Sequence, residues 1–305
     1  MRNSFQSYAL GATLYMPVIQ PKVEDFLFGR VPAPASSIVL CLEDALADYD
    51  VQRGVEKLRT LCQAGPFSCD ARVYIRPRSC DMARTLAGFR NIQKFDGFVA
   101  PKVMPDTTAF WLDIARGPGL SIMPTLESAI YFDPSQVAAV RDILTRHDRG
   151  QISAIRLGGN DLLGALALRR QRGVTSWEGP LGWVLAMMSS MFVSAGYSVA
   201  APVFDIIDDV ETLRCEVERD VAAGFVSKTA IHPLQVQVIE DAFRVSTEDL
   251  ERATAILDSS AKAVFQVGGV MCEPSTHRAW AERTLARAEA FSQIQARPNL
   301  CAVSG

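Results

Sequence analysis

Short apolar runs alternate with longer amphipathic stretches along most of the chain. Eight such runs stand out, and they read SYALGATLYMPV, SSIVLCLED, RVYIRPRS, GFVAPKVM, LSIMPTLES, ISAIRLGGND, YSVAAPVFD and GFVSKTAIH. Nearly continuous apolar runs of this length are typical of strands that are covered on both faces, as in a parallel sheet. Their alternation with helix-like stretches predicts βα units.

The stretches between the runs carry helical spacing. Val51, Val55 and Leu58 recur at three- and four-residue steps, which predicts a helix with one buried face. A second helix is predicted after the seventh run, where Asp208 and Glu211 have the spacing of a capping box. Each helix therefore has an apolar side that can pack on the predicted sheet.

Eight βα units favour a closed (β/α)8 TIM barrel over an open doubly wound sheet. No G-x-G-x-x-G follows the first run, which weakens a dinucleotide-binding interpretation. We expect residues 1–245 to form the barrel and residues 246–305 to form a C-terminal helical extension, with helices near 247–260 and 276–292. A barrel closes without such an extension, so we expect it to pack on its own barrel or on a neighbouring subunit.

Composition excludes several classes of protein. The 305 residues are 49% hydrophobic and 21% charged, with a formal net charge of −3, and no basic stripe predicts nucleic-acid binding. The longest apolar stretches are too short to span a bilayer. The first ten residues, MRNSFQSYAL, lack the apolar region of a signal peptide, so we expect a cytoplasmic protein without a membrane partner.

The cysteines carry no recognisable framework. The chain has 7 of them and no C-x-x-C pair, so they predict neither a disulfide scaffold nor a zinc site. We interpret them as reduced and mostly buried small apolar residues. Cys41 and Cys80 lie near strand ends without a histidine partner in any motif, and no G-x-S-x-G is present, so a covalent thiol or serine mechanism is not predicted.

Ionisable residues end most of the apolar runs, and in a barrel the carboxyl ends of the strands converge on one mouth. Taken singly, each has a structural explanation; Lys102, for example, fits an internal ion pair and Asp161 fits a helix cap. Together they cost desolvation free energy unless they pair or bind a ligand. The set comprises Glu43, Asp44, Arg76, Arg78, Lys102, Glu127, Asp161, Asp205, Lys228 and His232.

Glu127 and Asp161 end neighbouring runs and are the predicted metal ligands. Two nearby carboxylates repel unless a cation or a shared proton lies between them, and hard oxygen ligands suit Mg²⁺. Arg76 offers a planar fork for a carboxylate or an oxyanion. Gly158 and Gly159 let the backbone approach a ligand closely, although a glycine pair also serves a simple turn.

His232 follows the eighth run, in KTAIHP. A catalytic base is one interpretation; a residue that orients the barrel rim through hydrogen bonds is the other, and we favour the second.

Several motifs together resemble a known group. SIVLCLEDALADYD, VYIRPRS, FVAPKV, MPTLES, IRLGGNDLL and KTAIHPLQ follow the order and spacing of the HpcH/HpaI aldolase and citrate lyase β-subunit superfamily, from about residue 10 to 290. GATLYMP, RLGGNDLLGALALRR and MCEPSTHRAW resemble its branch of C–C bond lyases of the TIM-barrel fold. Single motifs are weak signals, whereas six in register are a strong one.

The resemblance implies a barrel in which Glu127 and Asp161 hold Mg²⁺ and Arg76 contacts a substrate carboxylate or thioester oxygen. In that group a C-terminal M-I-D-P motif supplies an aspartate to a neighbouring subunit's site. This chain has MCEP, so Glu273 takes that place with a side chain one methylene longer. The resemblance also implies a homo-oligomer, trimeric or hexameric.

Two positions depart from the pattern of the group. Arg78 stands where citrate-lyase-like members often carry asparagine, and Ser227 stands before Lys228 where the group has glycine. Together with Arg76 and Lys102, the cations Arg78 and Lys228 suggest a substrate with more than one negative charge. A thioester or a phosphorylated substrate therefore stays open.

We hypothesise a Mg²⁺-dependent aldol- or Claisen-type lyase that acts on a small carboxylate through an enolate. The residues predicted to take part in catalysis are Arg76, Glu43, Glu273 and Lys102. The residues predicted to bind substrate are Arg76, Arg78, Asp44, Gly159, Lys228 and His232. The alternatives are a Schiff-base aldolase that uses Lys102 or Lys228, and a catalytically silent barrel that acts as a binding or scaffold protein.

Overall fold

The computed structural model describes residues 7–147 and 149–295, and within them eight parallel strands close into a barrel in sequence order. Each strand falls inside one of the eight predicted apolar runs, so the predicted TIM barrel is confirmed. The strands are β1 (Gly11–Pro17), β2 (Ser37–Cys41), β3 (Arg72–Arg76), β4 (Gly97–Ala100), β5 (Ser121–Leu126), β6 (Ile155–Leu157), β7 (Val199–Ala201) and β8 (Ser227–Ala230).

Helices follow the strands and cover the outside of the barrel. They bury their apolar faces against the strands in a single large cluster. In chain order the described α-helices are α1 (Val23–Leu27), α2 (Val51–Gln63), α3 (Cys80–Ala87), α4 (Thr108–Arg116), α5 (Pro134–Thr145), α6 (Gly159–Ala165), α7 (Pro180–Val193), α8 (Val210–Ala222), α9 (Pro233–Phe243), α10 (Thr247–Leu257) and α11 (Pro274–Gln295).

The two helices predicted in detail are α2 and α8. In α2 the predicted face is observed, with Leu58 fully buried. In α8 the cap lies one residue later than predicted, because the side chain of Asp209 accepts the hydrogen bond from the Thr212 N–H. Asp208 instead pairs with Arg172 at 2.7 Å, so its carboxylate is not turned toward the helix.

Strand alternation decides which side chains enter the barrel. On β8, the Lys228 ammonium contacts carboxylates of α8 outside the barrel, whereas the next residue, Thr229, contacts Arg156 inside it. The interior is filled by a separate small cluster. Its buried members are Leu10, Val39, Tyr74, Val99, Met123, Ala154 and Ala200.

The C-terminal extension contains the two predicted helices, α10 and α11, and a hairpin that was not predicted. The hairpin pairs β9 (Phe265–Val267) with β10 (Val270–Cys272) in antiparallel register. Gly268 and Gly269 join the strands with φ values of 57° and 80°, which glycine adopts without strain. Three-residue strands give too short an alternation to be recognised in the sequence.

The extension packs on its own barrel. Arg283 of α11 donates from Nε to the Tyr8 hydroxyl at 3.0 Å and from Nη2 to the Gly224 carbonyl at 2.9 Å. Phe291 stacks on Phe243 with ring centroids 6.3 Å apart. Because Tyr8 and Gly224 precede β1 and β8, the Arg283 region of α11 lies near the end of the barrel opposite the mouth.

The described cysteines are free thiols, of which Cys41, Cys62 and Cys272 are buried and Cys215 is exposed. Cys301 lies outside the described residues. No helix in the described part of the chain combines the length and apolar character that a membrane crossing requires.

Candidate active site

Charged side chains from neighbouring strands meet at the mouth of the barrel, as the sequence predicts. Four of them follow or end successive strands β2 to β5, and the fifth lies in the first turn of α6, directly after β6. We call these five residues the mouth cluster. Its members are Glu43, Arg76, Lys102, Glu127 and Asp161.

Arg76 is the centre of the mouth cluster. Its side chain is buried, and its Nε donates to Glu43 Oε2. Nη1 donates to Thr125 Oγ1 at 3.2 Å, and Nη2 donates to Glu127 Oε1 at 3.0 Å. Burial works against its charge, but Glu127, Tyr15 and Glu43 raise the pKa of Arg76 above its usual range. The guanidinium is therefore a permanent cation held in one orientation.

Glu127 is the most perturbed acid of the mouth cluster. It is 4% exposed, and its Oε1 accepts the backbone N–H of Lys102 at 2.7 Å. Burial raises the pKa of Glu127 to about 7, although Arg76 and the Lys102 N–H oppose the shift, and Asp161 adds to it. A carboxyl group with this pKa is only partly ionised at neutral pH.

Lys102 links the two acids with both its backbone and its side chain. Its φ of 46° places it in the left-handed region, and its N–H donates to Glu127. The half-exposed ammonium lies 3.5 Å from Glu43 Oε1 and 4.0 Å from Asp161 Oδ1. Burial lowers the pKa of Lys102, but Glu43, Asp44 and Asp161 together raise it above its ordinary value.

The two glycines after β6 have different roles. A Cβ on Gly158 would lie 2.2 Å from Glu127 Oε2, so only glycine leaves room for this carboxylate. A Cβ on Gly159 would lie 2.8 Å from the Cβ of Pro202. Gly158 therefore serves the acid site, whereas Gly159, predicted to bind substrate, is buried in packing against Pro202.

The donor set of Glu127 and Asp161 fits a hard divalent cation. Both offer carboxylate oxygens, the space at Gly158 accommodates the Glu127 carboxylate, and the charge of Asp161 contributes to the raised pKa of Glu127. Among residues 7–147 and 149–295, no group of three or more histidine, cysteine or acidic side chains forms a complete metal cage. A two-carboxylate site leaves coordination positions for water and substrate, as Mg²⁺ sites usually do.

Lys228 does not lie in the mouth, so its predicted substrate contact is wrong. It is fully buried outside the barrel, with Nζ 2.8 Å from Glu216 Oε1 and 2.7 Å from Asp220 Oδ2. The strand register explains the error, because Thr229 takes the inward position. A Schiff base on Lys228 is excluded by the same burial.

Arg78 braces the loop that carries Glu43. Its Nε donates to the Leu42 carbonyl at 2.7 Å, Nη2 donates to the carbonyls of Glu43 and Leu46, and Nη1 pairs with Asp48. These contacts give it a positioning role, and its predicted substrate contact stays a prediction. Asp44, also predicted to bind substrate, is exposed beside Lys102.

His232 caps helix α9. Its Nδ1 accepts the Leu234 N–H at 3.2 Å, and the Gln235 side chain accepts the Ile231 N–H at 2.9 Å. This is the orienting role that the sequence favours, and an Nδ1 engaged in this way is not available to remove a proton. The capping contact occupies Nδ1 and not Nε2, so the predicted substrate contact of His232 stays a prediction.

Glu273 is not brought to the mouth of its own chain by any described contact. It lies immediately before α11, and its Oε1 accepts from Ser275 Oγ at 2.9 Å. In the described part of the chain, no hydrogen bond or ion pair joins it to the mouth cluster. The predicted role of Glu273 in catalysis stays a prediction.

Sequence reasoning missed the polar residues inside the strands. Arg156, Thr229 and Tyr15 lie within apolar runs, and Arg156 is 1% exposed inside the barrel. A charged residue in the middle of a strand that is otherwise apolar was the available signal, since Arg156 is flanked by Ile155 and Leu157.

Known proteins resemble this chain in sequence and in fold. The family model described as C–C bond lyase of the TIM-barrel fold matches residues 4–293. The chain belongs to this family. The resemblance found in the sequence motifs is confirmed, and the members of the family are carbon–carbon lyases.

Curated relatives act on malyl thioesters. A (3S)-malyl-CoA thioesterase of Cereibacter sphaeroides is 25% identical over 304 residues, covering 95% of this chain and 99% of the relative. An L-malyl-CoA/beta-methylmalyl-CoA lyase of Rhodobacter capsulatus is 26% identical over 200 residues, covering 58% and 60% of the two chains.

Solved structures share the fold. The protein CitE of Mycobacterium tuberculosis, in complex with magnesium, acetoacetate and coenzyme A, superposes with a TM-score of 0.66 at 23% identity, covering 92% of this chain and 98% of that one. RipC of Yersinia pestis superposes with a TM-score of 0.59 at 19% identity, covering 79% and 98%. At these identities the structural likeness establishes the barrel and not the substrate.

Proposed function

We propose that this family member is a Mg²⁺-dependent lyase that cleaves or forms a carbon–carbon bond next to a carboxylate, by an aldol or Claisen route through an enolate. The observation that carries the proposal is the buried Glu127 carboxylate, whose pKa is raised to about 7 and which faces a second acid, Asp161. A citrate lyase beta subunit of M. tuberculosis with a similar fold, solved in complex with oxaloacetate and magnesium, supports the same metal.

Glu127 and Asp161 would hold the ion. When bound there, Mg²⁺ supplies Lewis-acid stabilisation of negative charge on a substrate oxygen. Around it, the backbone N–H of Lys102 keeps one Glu127 oxygen fixed, and Gly158 leaves room for the other. The protein thus presents the acid pair in a defined position before substrate arrives.

Arg76 is the proposed substrate clamp. Its Nε is engaged by Glu43 and one Nη1 hydrogen by Thr125, which leaves the second Nη1 hydrogen for a substrate oxygen. Because three side chains fix the guanidinium, little conformational entropy is lost when it binds a carboxylate or an enolate oxygen.

Glu43 and Lys102 are proposed to move the proton. In the cleavage direction on a β-hydroxy acid, Glu43 removes the hydroxyl proton, the C–C bond breaks, and the fragments are a carbonyl compound and an enolate. Lys102, 3.5 Å from Glu43, then gives a proton to the enolate carbon. Condensation is the reverse of these steps.

Two other activities are less well supported. A Schiff base on Lys102 needs a neutral amine, but Glu43, Asp44 and Asp161 raise the pKa of Lys102 despite the opposing effect of burial. Thioester hydrolysis, the activity named for the Cereibacter relative, is separated from C–C cleavage by product analysis, because hydrolysis leaves the carbon skeleton of the acid intact.

Glu273 is proposed to act in the mouth of a neighbouring subunit of a homo-oligomer. No described contact ties it to its own mouth, and its position corresponds to the acidic residue of the C-terminal motif in the superfamily. Mixing Glu273→Gln with Glu127→Gln subunits tests this, because a hybrid contains some mouths with both acids intact. Regained turnover supports action between subunits, and none contradicts it.

Calorimetric titration with MgCl₂ tests the metal site. Relative to the unmodified protein, Glu127→Gln and Asp161→Asn should each weaken Mg²⁺ binding by at least about tenfold, since each removes a charged ligand. Asp48→Asn is the matched control, because it removes a 94%-exposed charge near the mouth that contacts Arg78. Unchanged affinity in both mouth variants would overturn the metal site and favour a barrel without this activity.

A further inference from the structure

Arg156 is a buried cation inside the barrel, and it forms no ion pair with a carboxylate of residues 7–147 or 149–295. It lies on β6, in register with Thr125 of β5 and Ala200 of β7, and it is 1% exposed. Its Nη2 donates to Thr229 Oγ1 at 2.5 Å, and its Nη1 lies 3.5 Å from Thr13 Oγ1. In the described part of the chain, no carboxylate oxygen lies within 4.0 Å of this guanidinium.

The other two buried cationic residues in the described part of the chain, Arg76 and Lys228, have acidic partners. Arg76 contacts Glu43 and Glu127, and Lys228 contacts two carboxylates of α8. A buried charge without a counter-charge is costly, so a fold that retains one gains from an anion bound nearby. Arg156 is therefore distinguished by its surroundings and not merely by its burial.

The Arg156 guanidinium lies directly below the mouth. The ring of Tyr15 is half-buried and lies between two arginines. Its centroid is 5.4 Å from the guanidinium carbon of Arg156 and 6.0 Å from that of Arg76. Thr229, at the mouth end of β8, is also partly exposed. Arg156 thus reaches the substrate space through these two side chains.

The Thr229 hydroxyl can donate a hydrogen bond to a ligand while it accepts one from Arg156. Its oxygen accepts from Arg156, so its own hydrogen points elsewhere. The nearest protein acceptor in the described structure is the Ala201 carbonyl at 3.5 Å, which is at the limit for an O–H···O bond. A carboxylate at the mouth is a stronger acceptor for this hydroxyl.

We infer that Arg156 and Thr229 form an anion-binding floor of the mouth, which holds a second carboxylate of the substrate away from Arg76 and the metal. Arg156 is the positioning residue and Thr229 makes the direct contact. The inference rests on the proposed lyase function and adds to it a substrate class, a small acid that carries two carboxylates.

Two stable ligands that differ by one carboxylate test the floor. L-malate and 3-hydroxybutyrate share a β-hydroxy acid core, and a methyl group in the second replaces a carboxylate in the first. Calorimetry with the Mg²⁺-loaded protein should show at least about tenfold tighter binding of malate, the size expected for one charge-assisted contact. Equal affinity for the two ligands would contradict the inference.

Variants of Arg156 and Thr229 test whether these two residues cause the preference for malate. Arg156→Met should weaken malate binding about tenfold and leave 3-hydroxybutyrate within about twofold, and Arg156→Lys should retain part of the preference. Thr229→Val should lose most of the preference, and Thr229→Ser should restore it. Thr13→Val is the matched control, because Thr13 also faces Arg156 but is fully buried, and it should keep the preference.

The outcomes separate the floor from the metal site. If the Thr229 and Arg156 variants change both ligands equally, or Thr229→Val keeps the preference, the floor is wrong even though Mg²⁺ binds. If Arg156→Met does not fold, the Thr229 pair alone decides. If the unmodified protein binds no Mg²⁺, the proposed function fails, and malate preference measured without metal still decides the floor.

Discussion

Two clusters of charged side chains in the described barrel differ in how exposed their side chains are and in how their acids are paired. The mouth cluster is open on one side, where the side chains of Lys102 and Asp161 are 54% and 36% exposed. The second, which we call the sealed cluster, lies between β8, α8 and the chain after α6. It consists of Lys228, Glu216, Asp220 and Arg170, with each side chain at most 3% exposed.

The difference lies in how the acids are satisfied. In the sealed cluster Glu216 and Asp220 face two cations at 2.6–2.8 Å, and Arg170 also pairs with the partly exposed Asp205 at 3.0 Å. Lys228 and Arg170 bring the pKa of Glu216 below its usual range although burial opposes this. In the mouth, burial raises the pKa of Glu127 to about 7 in spite of Arg76. Burial also raises the pKa of Asp220 in the sealed cluster, to about 6, so a raised pKa alone does not distinguish the mouth. The mouth differs because its exposed side, at Lys102 and Asp161, gives a ligand access to the perturbed acid.

Breaking the sealed cluster should have the largest effect on stability. Lys228→Met leaves Glu216 and Asp220 buried without their main cation, which should cost about 3–5 kcal/mol of unfolding free energy at pH 8. Burial already raises the pKa of Asp220 to about 6, so both acids should take up protons and the cost should shrink toward pH 5. Urea unfolding at both pH values measures this; a loss below about 1 kcal/mol at pH 8 would refute the contrast.

Removing the charge of Glu127 should raise the free energy of unfolding at pH 8, whereas Lys228→Met should lower it. The pKa of Glu127 is above its unfolded value, so its contribution to stability is present below about pH 4.5 and is lost as the pH rises through about 7. Without divalent ions, Glu127→Gln should therefore be more stable than the unmodified protein at pH 8, by about 1–3 kcal/mol, and not at pH 5. Urea unfolding in EDTA at both pH values checks this; destabilisation at pH 8 would contradict it.

Crowding the mouth acid should affect binding more than folding. Gly158→Ala places a Cβ 2.2 Å from Glu127 Oε2, so the carboxylate must move and Mg²⁺ affinity should fall by about tenfold. Gly164→Ala is the matched control, because Gly164 lies in α6, the helix that Gly158 immediately precedes, and no heavy atom lies within 4 Å of its added Cβ. Calorimetry should show weaker Mg²⁺ binding for Gly158→Ala alone. Equal losses in both variants would mean that a change in the helix, and not the contact with Glu127, weakens Mg²⁺ binding.

The smallest effect on stability is expected at the open edge of the mouth. Asp161 has a 36% exposed side chain and only a 4.0 Å contact with Lys102, so Asp161→Asn should change the unfolding free energy by less than about 0.5 kcal/mol. The same variant should weaken Mg²⁺ binding. A stability loss comparable to that of Lys228→Met would place Asp161 among the structural charges.

The sequence predicted the architecture well because burial on both faces leaves a clear pattern. All eight strands fall in the apolar runs, and the charges at their ends locate the mouth. The prediction that Lys228 points into the barrel was wrong. A shift of one residue along a strand moves a side chain from the inner to the outer face of the barrel, and the end of an apolar run does not show which residue faces inward. Arg156 was missed because a charge in mid-strand gives no sign of which neighbours satisfy it.

The measurement that tests the central claim most directly is anomalous diffraction from a crystal soaked in MnCl₂, with Mn²⁺ standing in for Mg²⁺. We predict one peak about 2.1 Å from oxygens of both Glu127 and Asp161, and its loss in Asp161→Asn. A Glu127 carboxylate still bound to Arg76 and the Lys102 N–H, with no peak beside it, would contradict the proposed metal site.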